Sequence, residues 1–332
     1  MKVLITGGCG FIGANIAKRH LEKGDEVVII DNLSRSGADK NLHRIYELGG
    51  KFSFYERNIT KPKIIRVVVN INPDIIYHMA AQVSVTASIS DPLNDFADNA
   101  IGTLLMLESA RASNKKPFFI YASTNKVYGD MADIPLLDSV SRYNYKGIKG
   151  ISEERAIDFH SPYGCSKGGA DQYVRDYSRV YGVDTVVFRQ SCIYGEMQVG
   201  IEDQGWLSWF CQQFKNKNPI KIYGDGKQVR DVLYIDDLLD LYDLAYENRE
   251  KAKGQIYNAG GGEENTLSLL ELITELETLF GYSVDLKYCS SRQGDQKVYI
   301  SDITKAKSLG WNPVVNPKEG IRRLCEWTTK NL

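Results

Sequence analysis

Apolar residues in the first half of the chain gather in short, nearly unbroken runs, and between the runs they recur every three or four places. Lys2–Thr6, Glu26–Asp31, Phe52–Glu56, Asp74–His78, Pro117–Ser123 and Asp184–Arg189 are rich in Val, Ile and aromatics, as strands buried on both faces are. Ile12–Lys23, Pro62–Asn70, Asp95–Ala112 and Tyr163–Tyr181 carry the period of amphipathic helices. Regular strand–helix alternation predicts an α/β fold, a doubly wound parallel sheet with helices on both faces. After Arg189 the rhythm loosens. Glycines at 224–226 and 260–262 mark turns, while Trp206–Phe214, Leu267–Phe280 and Pro317–Lys330 read as helices of a smaller α/β C-terminal part closing over the first.

The first strand runs into Gly7-Gly8-Cys9-Gly10-Phe11-Ile12-Gly13 and then a helix. Glycines 7, 10 and 13 permit a tight turn, backbone approach to a pyrophosphate and close helix–strand packing. The helix N-terminus, opened by Phe11 and Ile12, offers free N–H groups and a positive dipole end to phosphates. A glycine trio alone is weak evidence; between the first strand and the first helix it predicts a Rossmann dinucleotide site. Asp31 ends the second strand, where a carboxylate accepts bonds from ribose hydroxyls and repels a 2′-phosphate, so NAD is expected. Arg35 leaves NADP open, because a guanidinium can accommodate that phosphate. The expected division is an NAD-binding domain over residues 1–190, joined by about 228–260, with 191–227 and 261–332 forming the second domain.

Composition narrows the class further. Lys plus Arg number 41 against 42 Asp plus Glu, which argues against a general grip on nucleic acid or an anionic membrane. The six cysteines (9, 165, 192, 211, 289 and 325) form no Cys-x-x-Cys and read as small buried hydrophobes of a reducing compartment. With four histidines no zinc spacing assembles, and no metal site is expected. Val3–Ile5 is too short for a signal peptide, no run is long enough to span a bilayer, and a cytoplasmic location is expected.

Tyr-x-x-x-Lys occurs as Tyr145/Lys149, Tyr163/Lys167 and Tyr223/Lys227, and the first and third contain glycines. Only Tyr163/Lys167 opens a long helical pattern, where positions four apart share a face. A tyrosine titrates near pH ~10 in water, and a neighbouring ammonium lowers that value toward the range of a useful base. Lys167 could also bind the nicotinamide ribose. Ser123 and Thr124 follow an apolar strand, at the sheet's carboxyl end where ligands bind, and a hydroxyl there can relay a proton to Tyr163.

The glycine loop, Asp31-Asn32-Leu33-Ser34-Arg35, His78-Met79-Ala80-Ala81-Gln82, Asn99-x-x-Gly102-Thr103, the Thr124 segment and Tyr163/Lys167 together resemble the extended short-chain dehydrogenase/reductase family, in order and over nearly the whole chain. The resemblance implies Thr124, Tyr163 and Lys167 as the catalytic set. It implies cofactor contacts at Asn32, Ser34, Asn58, Ile59, Ala80, Ala81, Gln82 and Ser123 as well, with Asn99 supporting the site. It further implies a C-terminal half that binds a nucleotide-sugar, and a homodimer or homotetramer. Asn58 departs from the usual Asp, whose carboxylate accepts from the adenine amino group; the amide oxygen can still accept.

Dehydratases of the family carry Asp-Glu after the threonine, whereas Asn125-Lys126 holds no carboxylate, so elimination is not expected. The strings Asn125–Gly129, Ser191–Gly195, Gly200–Trp206 and Tyr223–Asp231 resemble the family members that epimerise C2 of CDP-paratose and CDP-tyvelose. That resemblance implies a CDP-linked deoxyhexose or hexose substrate, oxidised at C2 and reduced again, with Gln82, Ser84, Thr124, Asn125, Lys126, Gln190, Gln204, Gly205, Trp206 and Tyr223 around it. Arg230 and Arg292 are candidates for the diphosphate, since a guanidinium pairs bidentately with phosphate oxygens; surface ion pairing is the competing reading. Trp206 can equally be a packing residue. A 4-epimerase of UDP-sugars, an NADP-linked reductase and a non-catalytic NAD-binding protein stay open.

Overall fold

The computed structural model describes residues 1–292 and 294–332. It divides into two compact units: residues 1–124, 161–189 and 242–257, and residues 125–160, 190–241 and 258–332.

The first unit is built on a seven-stranded parallel sheet of Rossmann type. Its strands include β1 (Lys2–Thr6), β2 (Glu26–Asp31), β3 (Phe52–Glu56), β4 (Ile75–His78) and β5 (Phe118–Thr124). The order is Gln255–Ala259, Thr185–Gln190, β5, β4, β1, β2, β3. Neighbours among β1–β5 run parallel, with Ile5 level with both Ile29 and Tyr77. Leu4, Val28, Ile30, Ile76, Phe119 and Tyr121 join one core cluster with Val68, Met106, Leu107 and Val174 from the helices. The alternate residues Val3, Ile5, Val27, Ile29 and Ile75 are equally inaccessible, which explains the unbroken apolar runs: period-two alternation disappears when both faces are covered.

Three differences from the sequence reading bear on the site. β5 extends one residue further, so Thr124 is its last residue. The helix expected over Asp95–Ala112 is three pieces: Pro92–Phe96, a π-helical turn Ala97–Ile101 and Gly102–Ala112. Helices Ala38–Leu48 and Ile235–Glu247 and the sheet-edge strand Gln255–Ala259 were hidden by the loosened or mixed pattern.

The second unit contains a four-stranded sheet of Cys192–Tyr194, Val229–Tyr234, Thr266–Ser268 and Val298–Tyr299. The pair Ile220–Tyr223/Leu286–Cys289 and the hairpin Leu136–Asp138/Tyr143–Tyr145 complete its strands. Residues 125–160 and 228–241 were assigned to the first domain by sequence, yet they fall in this unit. The reason lies in packing: Val127, Tyr128, Met131 and Tyr145 share a core cluster with Val229, Val298, Tyr299 and Ile300. The helix foreseen over Leu267–Phe280 starts at Leu269, because Ser268 accepts from the Glu271 N–H while the Glu271 carboxylate accepts from the Ser268 N–H.

Cys9, Cys211 and Cys325 are buried, but Cys192 and Cys289 are half-buried and Cys165 is exposed. Cys165 lies two places from both Tyr163 and Lys167 on their helix, and residues so spaced face different ways. No helix among the described residues is long and apolar enough to cross a membrane.

Candidate active site

The turn after β1 is shaped by what its glycines lack. Gly7 has φ +67°, and a Cβ there would lie 2.6 Å from the Ala80 nitrogen; at Gly13 it would lie 2.2 Å from the Gly7 oxygen. At Gly10, by contrast, a Cβ would meet only the Gly7 oxygen, at 3.2 Å, so that side of the loop is open. Gly10 caps the first helix, α1 (Phe11–Glu22), without any side-chain bond to the helix's first N–H groups. Phe11 and Ile12 are half-buried there. An open glycine flank on an uncapped helix N-terminus fits a pyrophosphate. Asp31 stands at the end of β2, its carboxylate accepting from the Cys9 N–H at 2.9 Å and the Leu33 N–H at 2.8 Å; burial pushes its pKa up. These residues fit the adenosine half of NAD.

Other expected cofactor positions are placed differently. Arg35 is half-buried; burial lowers its pKa, and its charge favours the phenolate form of Tyr163. The Asn58 amide oxygen accepts from the Thr60 N–H at 2.8 Å, committing one lone pair to a local turn. Ile59 is buried in the core cluster against Gly102. Asn32 accepts from both the Ser34 N–H and hydroxyl, at 3.2 and 2.7 Å, on the exposed surface. Ala80 and Ala81 are half-buried, just beyond β4.

Tyr163 lies in the first turn of the helix Pro162–Tyr181, whose N-cap Ser161 accepts from the Gly164 N–H at 3.2 Å and holds φ 83°. Such a non-glycine conformation costs of order 1–3 kcal/mol and clusters at functional sites. The Tyr163 hydroxyl is hydrogen-bonded to Thr124; burial nevertheless pushes its pKa up to about 12, opposed by Thr124 and Arg35. One turn along, Lys167 donates to the Ala122 carbonyl at 2.6 Å, and its ammonium lies 4.3 Å from the Tyr121 ring centroid. Burial pulls its pKa down to about 7, against the pull of Asp171 and Asp95. The expectation that Lys167 lowers the Tyr163 pKa is corrected here. The groups that favour phenolate are Thr124 and Arg35, while Lys167 is turned to the sheet.

Asp171, a further turn along, is fully buried. It accepts from Arg189 Nε and Nη2, both at 3.0 Å, and from the Ser123 hydroxyl at 2.7 Å, joining the helix to β5 and to the strand Thr185–Gln190. Ser123 is therefore anchored to a carboxylate.

The π-helical turn carries Asn99, whose Nδ2 donates to Asp95 Oδ1 and to the Ser166 hydroxyl, each at 3.0 Å. Ser166 in turn donates to Asp95 Oδ2 at 2.5 Å. Gln82 donates to Asp95 at 2.9 Å and to the Ser84 carbonyl at 2.8 Å, while its oxygen accepts from the Ser84 N–H. The Ser84 hydroxyl caps its helix, accepting from Ala87. Both stand among the expected sugar contacts; here their polar groups serve this network and a helix cap.

In the second unit, Asn125 and Lys126 open a 3₁₀ turn. Asn125 Nδ2 and Lys126 Nζ both donate to Gln296 Oε1 at 3.3 Å, and Gln296 Nε2 donates to the Gly129 carbonyl at 2.5 Å. Lys126 also faces Asp295 at 3.9 Å, and Arg230 donates to the same carboxylate at 2.6 Å. Burial and Arg230 pull the Lys126 pKa down to about 8. Arg292 pairs with Asp203 at 2.9 Å and lies 3.9 Å from the Tyr223 ring centroid, whose hydroxyl donates to Glu202 at 2.6 Å. Both arginines thus hold carboxylates. Asp295, Gln296 and Glu202 escaped sequence reasoning, although the Asp295-Gln296 pair follows Arg292 by three places in a glycine-containing stretch.

The Trp206 indole N–H points to the Cys192 sulfur at 2.9 Å, and the ring packs edge-on to Phe210. Gly205 caps its helix with φ +74°, Gln204 pairs with Ile201 through the backbone, and Gln190 ends its strand buried. Among the described residues no three His, Cys, Asp or Glu side chains gather as metal ligands.

Residues 3–260 match the model of the NAD dependent epimerase/dehydratase family. The chain is 44% identical, over 99% of both sequences, to the CDP-paratose 2-epimerase of Salmonella typhi. Among solved structures, UDP-glucose 4-epimerase with UDP-glucose from Thermotoga maritima aligns with a TM-score of 0.87 at 32% identity, over 99% of both chains. The UDP-glucose 4-epimerase of Thermus thermophilus in complex with NAD aligns at 0.85 and 28% identity, again over 99% of both.

Proposed function

This chain belongs to the NAD dependent epimerase/dehydratase family, and from that premise we propose that it inverts C2 of a CDP-linked hexose of the CDP-paratose/CDP-tyvelose type. The observation that carries the reading is the buried Thr124–Tyr163 hydroxyl pair, with Lys167 one turn along and no carboxylate at positions 125 and 126. Similarity to a 2-epimerase supports the choice of carbon and of nucleotide.

NAD, held by the glycine loop, Asp31 and Lys167, would supply the hydride acceptor for oxidation at C2 and the hydride for its reversal. Tyr163 takes the proton of the C2 hydroxyl, with Thr124 hydrogen-bonded to both oxygens, and gives it back to the C2 oxygen once the 2-ketosugar has turned over and is reduced on its opposite face. Lys167 holds the nicotinamide ribose. The absence of Asp and Glu after Thr124 leaves no group to expel a neighbouring hydroxyl, so oxidation at C2 leads to return rather than elimination. Lys126, Arg230 and Arg292 take the diphosphate, whose oxygens compete with Asp295 and Asp203 for them. Exposed Leu93, Phe96 and Tyr173, on packed neighbouring helices, support a homodimer or homotetramer. Free cysteines suit a cytoplasmic location.

Proton NMR of the purified protein with CDP-paratose, and with CDP-glucose in parallel, tests the reaction without added cofactor. Anomeric signals of the 2-epimer are expected. Conversion of UDP-glucose to its 4-epimer, with neither CDP-sugar turned over, would favour the second reading that the Thermotoga maritima structure supports.

The diphosphate assignment has a pH signature. Lys126 is charged below its pKa of about 8 and neutral above it. The expected result is a fall in kcat/KM for the CDP-sugar above pH ~8, with the slope of one proton. Lys126→Met should lower kcat/KM at pH 7 and flatten that limb; a limb that persists assigns it to another group.

A further inference from the structure

His78 is almost wholly inaccessible, at 1% exposure, yet it lies neither in the glycine loop nor against the hydroxyl of Tyr163. Both ring nitrogens are engaged. Nδ1 is 2.7 Å from the Thr6 hydroxyl at the end of β1, and Nε2 is 3.0 Å from the Thr103 hydroxyl. Proton counting settles the direction of each bond. Thr103 has one hydroxyl proton and donates it to the Asn99 carbonyl at 2.6 Å, so toward His78 it can only accept. Nε2 must therefore carry the imidazole proton. Nδ1 is left as an acceptor, and the Thr6 hydroxyl donates to it while accepting from the Ala80 N–H at 3.3 Å. The polarity runs outward from His78 on one side, through Thr103 to the π-helical turn. On the other side it runs inward, from Ala80 through Thr6.

We infer that His78 is a positioning residue for the Tyr163 chemistry: locked as the Nε2–H tautomer, it ties the glycine loop to the π-helical turn and, through Asn99 and Ser166, to the helix that carries Tyr163 and Lys167. Ala80 is the residue against which Gly7 closes, with 2.6 Å between the Ala80 nitrogen and a Cβ built on Gly7. Asn99 grips Ser166, three residues from Tyr163 and next to Lys167. A parallel contact runs through rings: His78 stacks on Tyr121 at 5.8 Å and 24°, and the Lys167 ammonium lies over the same tyrosine. Only a neutral imidazole suits this place, since an imidazolium would bring a second N–H to Nδ1 and a second buried cation near Lys167. Burial and Lys167 push its pKa down to about 3.

The turnover arm of the test rests on the proposed epimerisation, while the NMR arms do not. In protein labelled with 15N-histidine, the signals absent from His78→Gln identify this ring among the four histidines. Expected are a protonated Nε2 and an unprotonated Nδ1, unchanged from pH 5.5 to 8.5. A protonated Nδ1, or a ring that titrates in that range, overturns the inference. Gln at 78 keeps a donor toward Thr103, Asn keeps only an acceptor toward Thr6, and Leu keeps neither. His78→Asn and His78→Leu are expected to lower kcat about 10²-fold, the scale of a misplaced reacting group, with KM within a few-fold, and His78→Gln much less. With 13Cζ-labelled tyrosine, the Tyr163 signal should move in His78→Asn and Thr103→Val and stay in His78→Gln. Equal kcat losses for Gln and Asn, or a Tyr163 signal unmoved in both His78→Asn and Thr103→Val, would sink the idea. A wild-type protein inert toward CDP-sugars but showing the expected NMR pattern would refute the substrate reading and leave this one standing.

Discussion

Tyr163→Phe is expected to lower kcat by about 10²–10⁴-fold, the range that a positioned proton-transfer group contributes, while bound NAD and KM change little. The substitution removes one hydroxyl from a buried ring and leaves the ring's packing in place. What is lost is the oxygen bonded to Thr124. At the pKa of about 12 set by burial, that oxygen holds its proton at neutral pH, ready to donate in the reduction half of the cycle. Taking a proton in the oxidation half requires phenolate character, which Thr124 and Arg35 supply by hydrogen bond and by charge. Thr124→Ala should therefore act in the same direction, by less. The measurement is initial rates on the CDP-sugar beside the NAD content of the purified variant. A Tyr163→Phe protein with more than a tenth of wild-type kcat would remove Tyr163 from the proposed chemistry. One that had lost its NAD would mean that the residue binds the cofactor instead.

Asp171→Ala is expected to cost about 3–5 kcal/mol of folding stability, because it removes the carboxylate that pairs with the buried Arg189 guanidinium. Arg189 is 3% and Asp171 0% exposed in side chain, so water cannot substitute for the missing partner. Ser123 loses its acceptor at the same time. Replacing both members, as Asp171→Leu with Arg189→Leu, should recover much of the loss, since a buried pair exchanged for apolar residues is often near neutral. Denaturant unfolding of the three proteins checks this, and a single-variant loss below ~1 kcal/mol would contradict the buried-charge account. The kcat of the double variant carries separate information. Asp171 is the first of the charges that hold up the Lys167 pKa, so its removal leaves less ammonium at neutral pH.

The elements of the first unit were legible because their signals are local. A strand covered on both faces reads as an apolar run wherever it sits, and each of the six predicted strands lies within one residue of the observed ends at both termini, Pro117–Ser123 against Phe118–Thr124 among them. The glycine loop was legible for a related reason. Turn, helix start and strand end lie within seven residues, so steric need is written in consecutive letters. The shared face of Tyr163 and Lys167 is likewise a consequence of helical spacing. The break at Ala97–Ile101 was not, because a single π-helical turn changes the backbone bonding to i→i+5 over too few residues to show in the apolar period.

The sequence by itself determined the strand–helix alternation, the glycine loop after β1, the carboxylate at the end of β2 and the helix that presents Tyr163. The tertiary structure alone decided what those groups face. Strand order sets β4 between β1 and β5, and only then does His78 meet Thr6, 72 residues away, and stack on Tyr121. The same applies to Lys167, which spacing aimed at Tyr163 and packing turned to Ala122. Asp295 and Gln296 hold Lys126 from about 170 places along the chain. Backbone conformation depends on near neighbours in sequence, so it can be read there. Hydrogen-bond partners and burial depend on which elements are adjacent in space, and in this fold the groups that set each proton's place come from strands and helices far apart in the chain.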